Sequence, residues 1–268
     1  MTYGVQELSG ANVGGPPEFL AGGRYEVRLA MTAEEIEAAL KLRFEVFNLE
    51  LNEGLAASYE TGQDRDAFDA TCEHLIALDR FSGQVVGTYR LTTIEMTGGA
   101  DRFYSASEYA LGQLPSEVLA EGVEIGRACI APAHRNKQVL FLLWRALIAH
   151  VVQRQKRYLF GCCSLTSQHP ADGWELWEQF TEKGHLHSRY YAAVQPEYQC
   201  AIGSTDATGL APIKIPRLLD SYLGMGAKVC SPPALDRQFG TIDFLVLLDV
   251  QNMHPRAQRL FAAELERG

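Results

Sequence analysis

The chain reads as a three-layer α/β domain, a mixed sheet flanked by helices. Three observations predict it. Strand-like runs alternate with helical runs over most of the length. Two early strands, over 75–79 and 85–93, are joined by Ser82-Gly83, a hairpin signal. No internal repeat and no long linker interrupts residues 25–268, so one domain with room for a sizeable core is expected there.

The elements follow in order. Residues 1–24 are rich in Gly and Pro and predict a disordered arm. Tyr25-Glu26-Val27-Arg28-Leu29 alternates like a first strand. Thr32 and Glu35 form a capping box, and Ile36, Ala39, Leu40, Arg43, Phe44 and Phe47 recur at helical spacing, so 33–51 predicts one helix. Residues 52–72 are polar and acidic, a loop with room for a short helical turn, carrying Asp64, Asp66 and Asp69. After the hairpin, Gly98-Gly99 breaks the chain, and 103–111 leads to a short helix near 115–120. A strand over 123–130, a helix over 136–155 and a strand over 158–165 come next. Helices are predicted over 174–183, 216–223 and 254–267, strands over 228–230 and 241–249, and irregular chain over 184–214.

Composition excludes several classes. The apolar fraction of 47% and charged fraction of 21% are those of an ordinary soluble globule. A net charge of −9 argues against general nucleic-acid binding. The six cysteines form no CxxC pair and accompany no signal-like segment, so reduced thiols in a cytoplasmic protein are expected, with neither a disulfide framework nor a zinc site. His74, His134 and His169 show no metal-ligand spacing. The apolar run 139–152 is interrupted by Arg145 and is shorter than the roughly 20 residues that span a bilayer.

The most informative segment runs from Val123 to Val139: a strand carrying Glu124 and Arg127, a basic turn Arg135-Asn136-Lys137-Gln138, then the long apolar helix. A strand, basic turn and helix can offer backbone donors to a pantetheine arm. A coenzyme A diphosphate normally requires a glycine-rich turn for close approach, and positions 135–140 contain no glycine. That absence points to a thioester donor without a nucleotide end, an acyl carrier protein. Glu124 and Arg127, three apart, point to opposite faces of a regular strand. An extra residue at Gly126, a β-bulge, would bring both to one side and turn backbone N–H groups toward a thioester carbonyl. Without the bulge they are an edge charge and a salt-bridge partner. In the first case Glu124 can take the proton of an attacking amine. The Gly161-Cys162-Cys163-Ser164 run lacks a nucleophile elbow; its small side chains leave room for an acyl chain.

Two charge patterns each carry two readings. Arg43, Asp66, Asp69 and Arg90 lie beside apolar residues, so buried Arg–Asp pairs are expected. They either hold the acidic loop over the sheet or form an acceptor pocket, and the two are compatible. From Ile125 to Ala171 the chain carries Arg127, Arg135, Lys137, Arg145, Arg154, Lys156 and Arg157 and no acid. This is either a docking face for an acidic carrier protein, strongest at Arg135 and Lys137, or a solvated helix face balanced from elsewhere.

An ordered series of short motifs resembles a known family. The pieces are Leu42-Arg43 with Val46-Phe47; Asp66, Asp69, Cys72 and His74-Leu75; Val86-Gly87-Thr88-Tyr89-Arg90-Leu91; and Phe103-Tyr104-Ser105-Ala106-Ser107-Glu108. Glu124, Gly126-Arg127, Cys129 and Pro132 follow, then Leu143-Trp144-Arg145, Tyr222-Leu223, Gly226-Ala227-Lys228-Val229-Cys230 and Pro233-Ala234, Asp236 and Phe239. The series is similar to the bacterial GNAT-fold N-acyltransferases described as hemolysin-like or L-ornithine N(alpha)-acyltransferases, over about residues 28–265. More distantly it is similar to acyl-homoserine-lactone synthases, matching them in order at Arg43, Phe47, Asp66, Asp69, Arg90, Glu124 and Arg127. The tryptophan that follows the first helix in those synthases, and bears on S-adenosylmethionine recognition, has no counterpart here.

The resemblance implies a GNAT-like domain over 25–268 that moves a 3-hydroxyacyl group from acyl carrier protein to an amino acid's α-amine. Ornithine is the first expectation, with lysine, glycine and glutamine open. It implies Glu124 as base with Arg127 beside it, and Arg43, Phe47, Asp66, Asp69 and Arg90 around the acceptor. Gly126, Ala128, Cys129, Arg135, Lys137 and Arg145 then belong to the donor side, with pantetheine entering between strands 123–130 and 158–165. No resident cofactor or metal is expected, and a long-chain product invites peripheral membrane contact. The alternatives are a homoserine-lactone-type synthase and a non-catalytic carrier- or membrane-binding protein. No amphipathic strand series supports lysis, whatever the name hemolysin suggests.

Overall fold

A computed structural model describes residues 20–201 and 213–266. In chain order the elements are β1 (Leu20–Gly22), β2 (Tyr25–Leu29), α1 (Ala33–Phe44), α2 (Ser58–Thr61), β3 (Glu73–Asp79), β4 (Gln84–Thr93), α3 (Ile94–Thr97), α4 (Ser105–Glu108) and α5 (Ser116–Ala120). They continue with β5 (Gly122–Ile130), α6 (Lys137–Gln153), β6 (Tyr158–Leu165), α7 (Pro170–Glu182), α8 (Arg217–Met225), β7 (Lys228–Val229), β8 (Ala234–Asp236), β9 (Thr241–Asp249), α9 (Pro255–Leu260) and α10 (Ala262–Leu265).

The strands form one mixed sheet in the order β1-β2-β3-β4-β5-β6-β9-β7, with β8 also paired to β9. Every pairing is antiparallel except β5 with β6. Helices cover both faces, as the alternation of elements implied. On one side Val139, Leu143 and Leu147 of α6 join Leu176 of α7 and Leu219 of α8 against Leu75, Val123 and Phe244. On the other, Leu42, Val46 and Phe47 pack with Cys129 and Phe239, while Val118 and Leu119 of α5 join Tyr158 and Phe160.

Several boundaries differ from the sequence reading. The Leu20–Gly22 part of the expected arm is strand, paired with β2; residues 1–19 lie outside the described ones. The helix over 33–51 is α-helical only to Phe44. Glu45–Glu50 widens to a π-helical turn, with Leu51 N bonding Val46 O at 3.0 Å, and such turns often sit at functional sites. Thr32 caps α1 from its side chain, but Glu35 returns to Met31 N and Arg28 instead. The predicted C-terminal helix is two short ones parted at Phe261. α4 and β8 were not predicted: four-residue and three-residue segments carry no readable periodicity. Of the irregular stretch 184–214, residues 202–212 lie outside the described ones.

Candidate active site

The site begins as an irregularity in the central sheet. Arg90 of β4 faces Gly126 of β5, while Thr88 faces Cys129, so Tyr89 alone opposes Arg127 and Ala128. Of the two readings open from sequence this is the β-bulge, with the extra residue just after Gly126. Arg127 holds φ at 50°, the left-handed conformation that glycine usually supplies in such bulges. An arginine there costs about 1–2 kcal/mol, which its ion pairs and packing offset.

On its other edge β5 pairs with β6 for only three residues, ending at Glu124 opposite Phe160. Beyond that point β5 follows β4 and β6 follows β9, so the strands part. Gly161 marks the fork, for a Cβ there would lie 2.1 Å from the Ile125 carbonyl oxygen. The parting opens a cavity of about 780 Å³. Glu124, Gly126, Arg127, Ala128 and Cys129 line it together with Phe47 and Arg90, and Arg135 and Lys137 lie on its wall. The far part is apolar: Leu140, Trp144, Leu147 and Ile148 of α6 face Leu219, Tyr222 and Met225 of α8. Tyr89 and Tyr222 hydroxyls bond each other there at 2.6 Å, which satisfies both in the apolar surroundings.

Glu124 is 5% exposed, and its carboxylate accepts from three donors at the start of α4: Tyr104 N (3.0 Å), Ser105 N (2.7 Å) and Ser105 Oγ (2.6 Å). Burial pushes its carboxyl above the ordinary value, and the Ser105 and Tyr104 hydrogen bonds recover only part of that rise. The group is oriented and more basic than an ordinary glutamate.

The buried Arg–Asp pairs form a closed network. Arg43, wholly buried, donates to Asp64 (Nε–Oδ2, 2.7 Å) and Asp69 (Nη1–Oδ1, 2.7 Å). Arg90 donates to Asp66 at 2.6 Å and Asp69 at 3.3 Å. Arg127 reaches Asp64 at 3.2 Å and Asp66 at 3.1 Å, with its guanidinium over the rings of Phe239 and Tyr104. Three arginines meet three aspartates. Burial raises the Asp66 and Asp69 carboxyls, but the facing arginines outweigh it and hold both below the ordinary carboxylate range. Arg43, Asp66 and Asp69 do not line the cavity, so the structural reading of this set prevails for them; Arg90 and Arg127 both line it. Asp64 completes the network. Its place in the acidic loop, among buried arginines needing counter-charges, was the available signal.

The basic run is mostly balanced from elsewhere. Arg135 pairs with Glu50, Arg145 with Glu264, Arg154 with Glu73, Lys156 with Glu95 and Arg157 with Asp249. Arg145 is away from the cavity lining and ties α6 to α10, which corrects its assignment to the donor side. Lys137 is exposed and has no ion pair among the described residues. The side chain of Asn136 caps α6, accepting from Val139 N at 3.0 Å.

A second group of acids was not singled out from sequence. Asp243 lines the cavity at 2% exposure, and Glu108 of α4, with no exposure, lies behind it. Their carboxylate oxygens and Cys162 Sγ lie within 4.8 Å of one another. The Cys162 thiol in turn bonds Ser105 Oγ at 3.5 Å, so this group adjoins Glu124. No disulfide joins the six cysteines, and no helix of the described residues is long and apolar enough to cross a membrane.

Comparison with known proteins agrees with this architecture. A family model described as an acetyltransferase (GNAT) domain matches residues 42–145. The L-ornithine N(alpha)-acyltransferase of Agrobacterium fabrum (strain C58 / ATCC 33970) is 32% identical over 257 residues, covering 91% of this chain and 87% of that protein. The protein of the same name from Rhizobium meliloti (strain 1021) is 31% identical over 258 residues, covering 90% and 86%. Among solved structures, the AHL synthase LasI shares the fold, with a TM-score of 0.50 at 13% identity over 89% of this chain and 95% of that one. The protein is therefore an acyltransferase of GNAT-like fold, and the chain belongs to the L-ornithine N(alpha)-acyltransferase family.

Proposed function

We propose that this protein transfers a long acyl group, 3-hydroxylated by family resemblance, from acyl carrier protein to the α-amine of L-ornithine. The observation that carries the proposal is the fork of β5 and β6 immediately after Glu124, which opens a cavity apolar on one side and charged on the other. A volume near 780 Å³ lies in the range of pre-formed small-molecule sites.

The thioester carbonyl lies at the bulge, where backbone N–H groups around Gly126, Ala128 and Cys129 stabilise the developing oxyanion. The acyl chain extends between α6 and α8. The amine attacks the carbonyl carbon as its free base, the C–N bond forms, and Glu124 receives the proton. The C–S bond then breaks, and the pantetheine thiolate leaves and is protonated. A carboxylate raised by burial and fixed by three donors suits the base role. Arg127 and Arg90 are paired with the aspartates behind them but line the cavity, so they turn positive potential toward the acceptor's α-carboxylate, and Phe47 closes that wall.

Two observations favour the carrier protein over coenzyme A. The turn before α6 lacks glycine, and the Asn136 side chain already occupies the helix N-terminus where a diphosphate would bind. Lys137 is the cation left to meet an acidic carrier, with the exposed Arg135–Glu50 pair beside it. We place the enzyme in the cytoplasm, with the product passing to a lipid surface near the exposed Leu49 and Leu51, the latter on the cavity wall.

Mass spectrometry of products from purified protein, 3-hydroxyacyl carrier protein and mixed amino acids tests the reading, with acyl-CoA or S-adenosylmethionine in parallel reactions. An N-acylornithine formed only with the carrier is the expected result. A lactone would replace the reading by a homoserine-lactone-type synthase, and no product with any amine by a binding protein. Glu124→Gln should lower kcat about 10²–10⁴-fold in a folded protein, and full activity would remove Glu124 from the mechanism.

A further inference from the structure

The arginine–aspartate network was one candidate for binding an acceptor's ammonium groups, but each of its six charges is met by another. The second acidic group is different. Among the described residues no salt bridge involves Glu53, Glu108, Asp236 or Asp243, and all four are buried. No backbone N–H and no basic side chain donates to either Glu108 carboxylate oxygen or to Asp243 Oδ1; their polar neighbours are each other, the Cys162 thiol and the Ser164 and Thr241 hydroxyls. Asp236, by contrast, is used: it accepts from Gln238 N and Phe239 N and faces the Tyr104 hydroxyl. After burial, the strongest influences on Glu108 are the negative charges of Asp243 and Asp236, with no cation beside them.

A buried pair of uncompensated carboxylates is unfavourable unless a proton or a cation joins them. Glu53 and Asp243 carry this negative charge to the cavity wall that Glu124 also lines. An ammonium group offers three N–H donors to such a pair. A divalent metal would have to displace the proton of the Cys162 thiol, which burial and neighbouring acids hold well above its ordinary value, whereas an ammonium group needs no such displacement.

We propose that Glu108 and Asp243, with Glu53 at their flank, seat the side-chain ammonium of a basic amino-acid acceptor and so determine specificity for it. The proposal rests on the N-acyltransferase reading above and deepens it. The seat adjoins Glu124 through Cys162 and Ser105, and ornithine separates its two nitrogens by Cα and three methylenes. Its side-chain ammonium in the seat leaves the α-amine toward Glu124 and the thioester. An acceptor with an apolar side chain leaves the two carboxylates unmatched, which is how a built polar site rejects an analogue.

The test compares L-ornithine with L-norleucine, in which a methyl group replaces the side-chain ammonium, for wild type, Asp243→Asn and Glu108→Gln. For the wild type the norleucine-to-ornithine ratio of KM should be at least about 10- to 150-fold, the span of a charged hydrogen bond. Each variant should pull that ratio toward one by raising KM for ornithine. A wild-type ratio near one, or variants that raise both KM values alike, overturns the proposal. Thermal melts accompany the kinetics, because each variant keeps the shape of the pair while removing an acid whose charged form burial disfavours, and should melt no lower than wild type. If one variant does not fold, the other decides. Should the wild type acylate no amino acid, the transfer reading fails instead. Calorimetric binding of ornithine and norleucine then judges the seat: ornithine binding that weakens in Asp243→Asn upholds it, and equal binding of both amino acids overturns it.

Discussion

Replacing Arg43 by Met tests whether the arginine–aspartate network is a structural device. Arg43 has no solvent exposure and links Asp64 of the loop to Asp69 just ahead of β3, both at 2.7 Å. Removing it leaves three aspartates, Asp64 buried and Asp66 and Asp69 partly so, facing two arginines, Arg90 and Arg127. Breaking one partner out of such a set costs about 3–5 kcal/mol, because an uncompensated charge remains buried. In a domain of this size that lowers Tm by roughly 6–20 °C, at about 2–4 °C per kcal/mol. Adding Asp64→Asn to Arg43→Met restores neutrality, leaving Arg90 and Arg127 with Asp66 and Asp69. Urea unfolding followed by circular dichroism at pH 7 should show the double variant recovering most of the loss. Additive losses, or a wild-type Tm for Arg43→Met with a raised KM for the amino-acid acceptor, would refute the structural account.

Other outcomes follow from the same geometry. Gly161→Ala puts a methyl group against the Ile125 carbonyl at the fork, so stability should fall by about 1–3 kcal/mol and KM for the acyl donor should rise; a neutral substitution would mean that the fork is not tightly set. Arg145→Ala strands the buried Glu264 carboxylate and should cost about 3 kcal/mol in urea unfolding with donor KM unchanged. Lys137→Glu should do the reverse, weakening the carrier donor while leaving stability intact, and a salt-insensitive donor KM in wild type would contradict carrier docking. Burial and neighbouring acids raise Asp243 to about 6 and Glu108 well above its ordinary value, so the folded protein keeps protons that the unfolded chain releases. The contribution of this pair is therefore intact near pH 4 and is lost as pH rises through about 6. Urea midpoints of wild type minus Asp243→Asn should fall over that interval, and a flat difference would show that the pair carries no such strain.

Much of the fold was legible without coordinates because it rests on local pattern. Period-two alternation marked β2, the Ser82-Gly83 turn marked the hairpin of β3 and β4, and the long apolar run marked α6. Glu124 and Arg127 could be named as a pair through the family resemblance, but their three-residue spacing left a bulge and a regular strand both open, and the pairing of β4 with β5 decided for the bulge. Charge segregation was visible as well, but its meaning was not. The arginines of 135–157 are balanced by Glu50, Glu73, Asp249 and Glu264, which lie far away in sequence. Pairing across such distances is set by packing, and linear spacing carries no trace of it. For the same reason Arg43, Asp66 and Asp69 read equally well as pocket or strut until the geometry made them a strut. Glu108 and Asp243 lie 135 positions apart on a four-residue helix and an apolar strand, where each alone looks like an ordinary acid. Only the tertiary structure brings them face to face without a cation, because long-range strand pairing, and not local propensity, decides which buried charges meet.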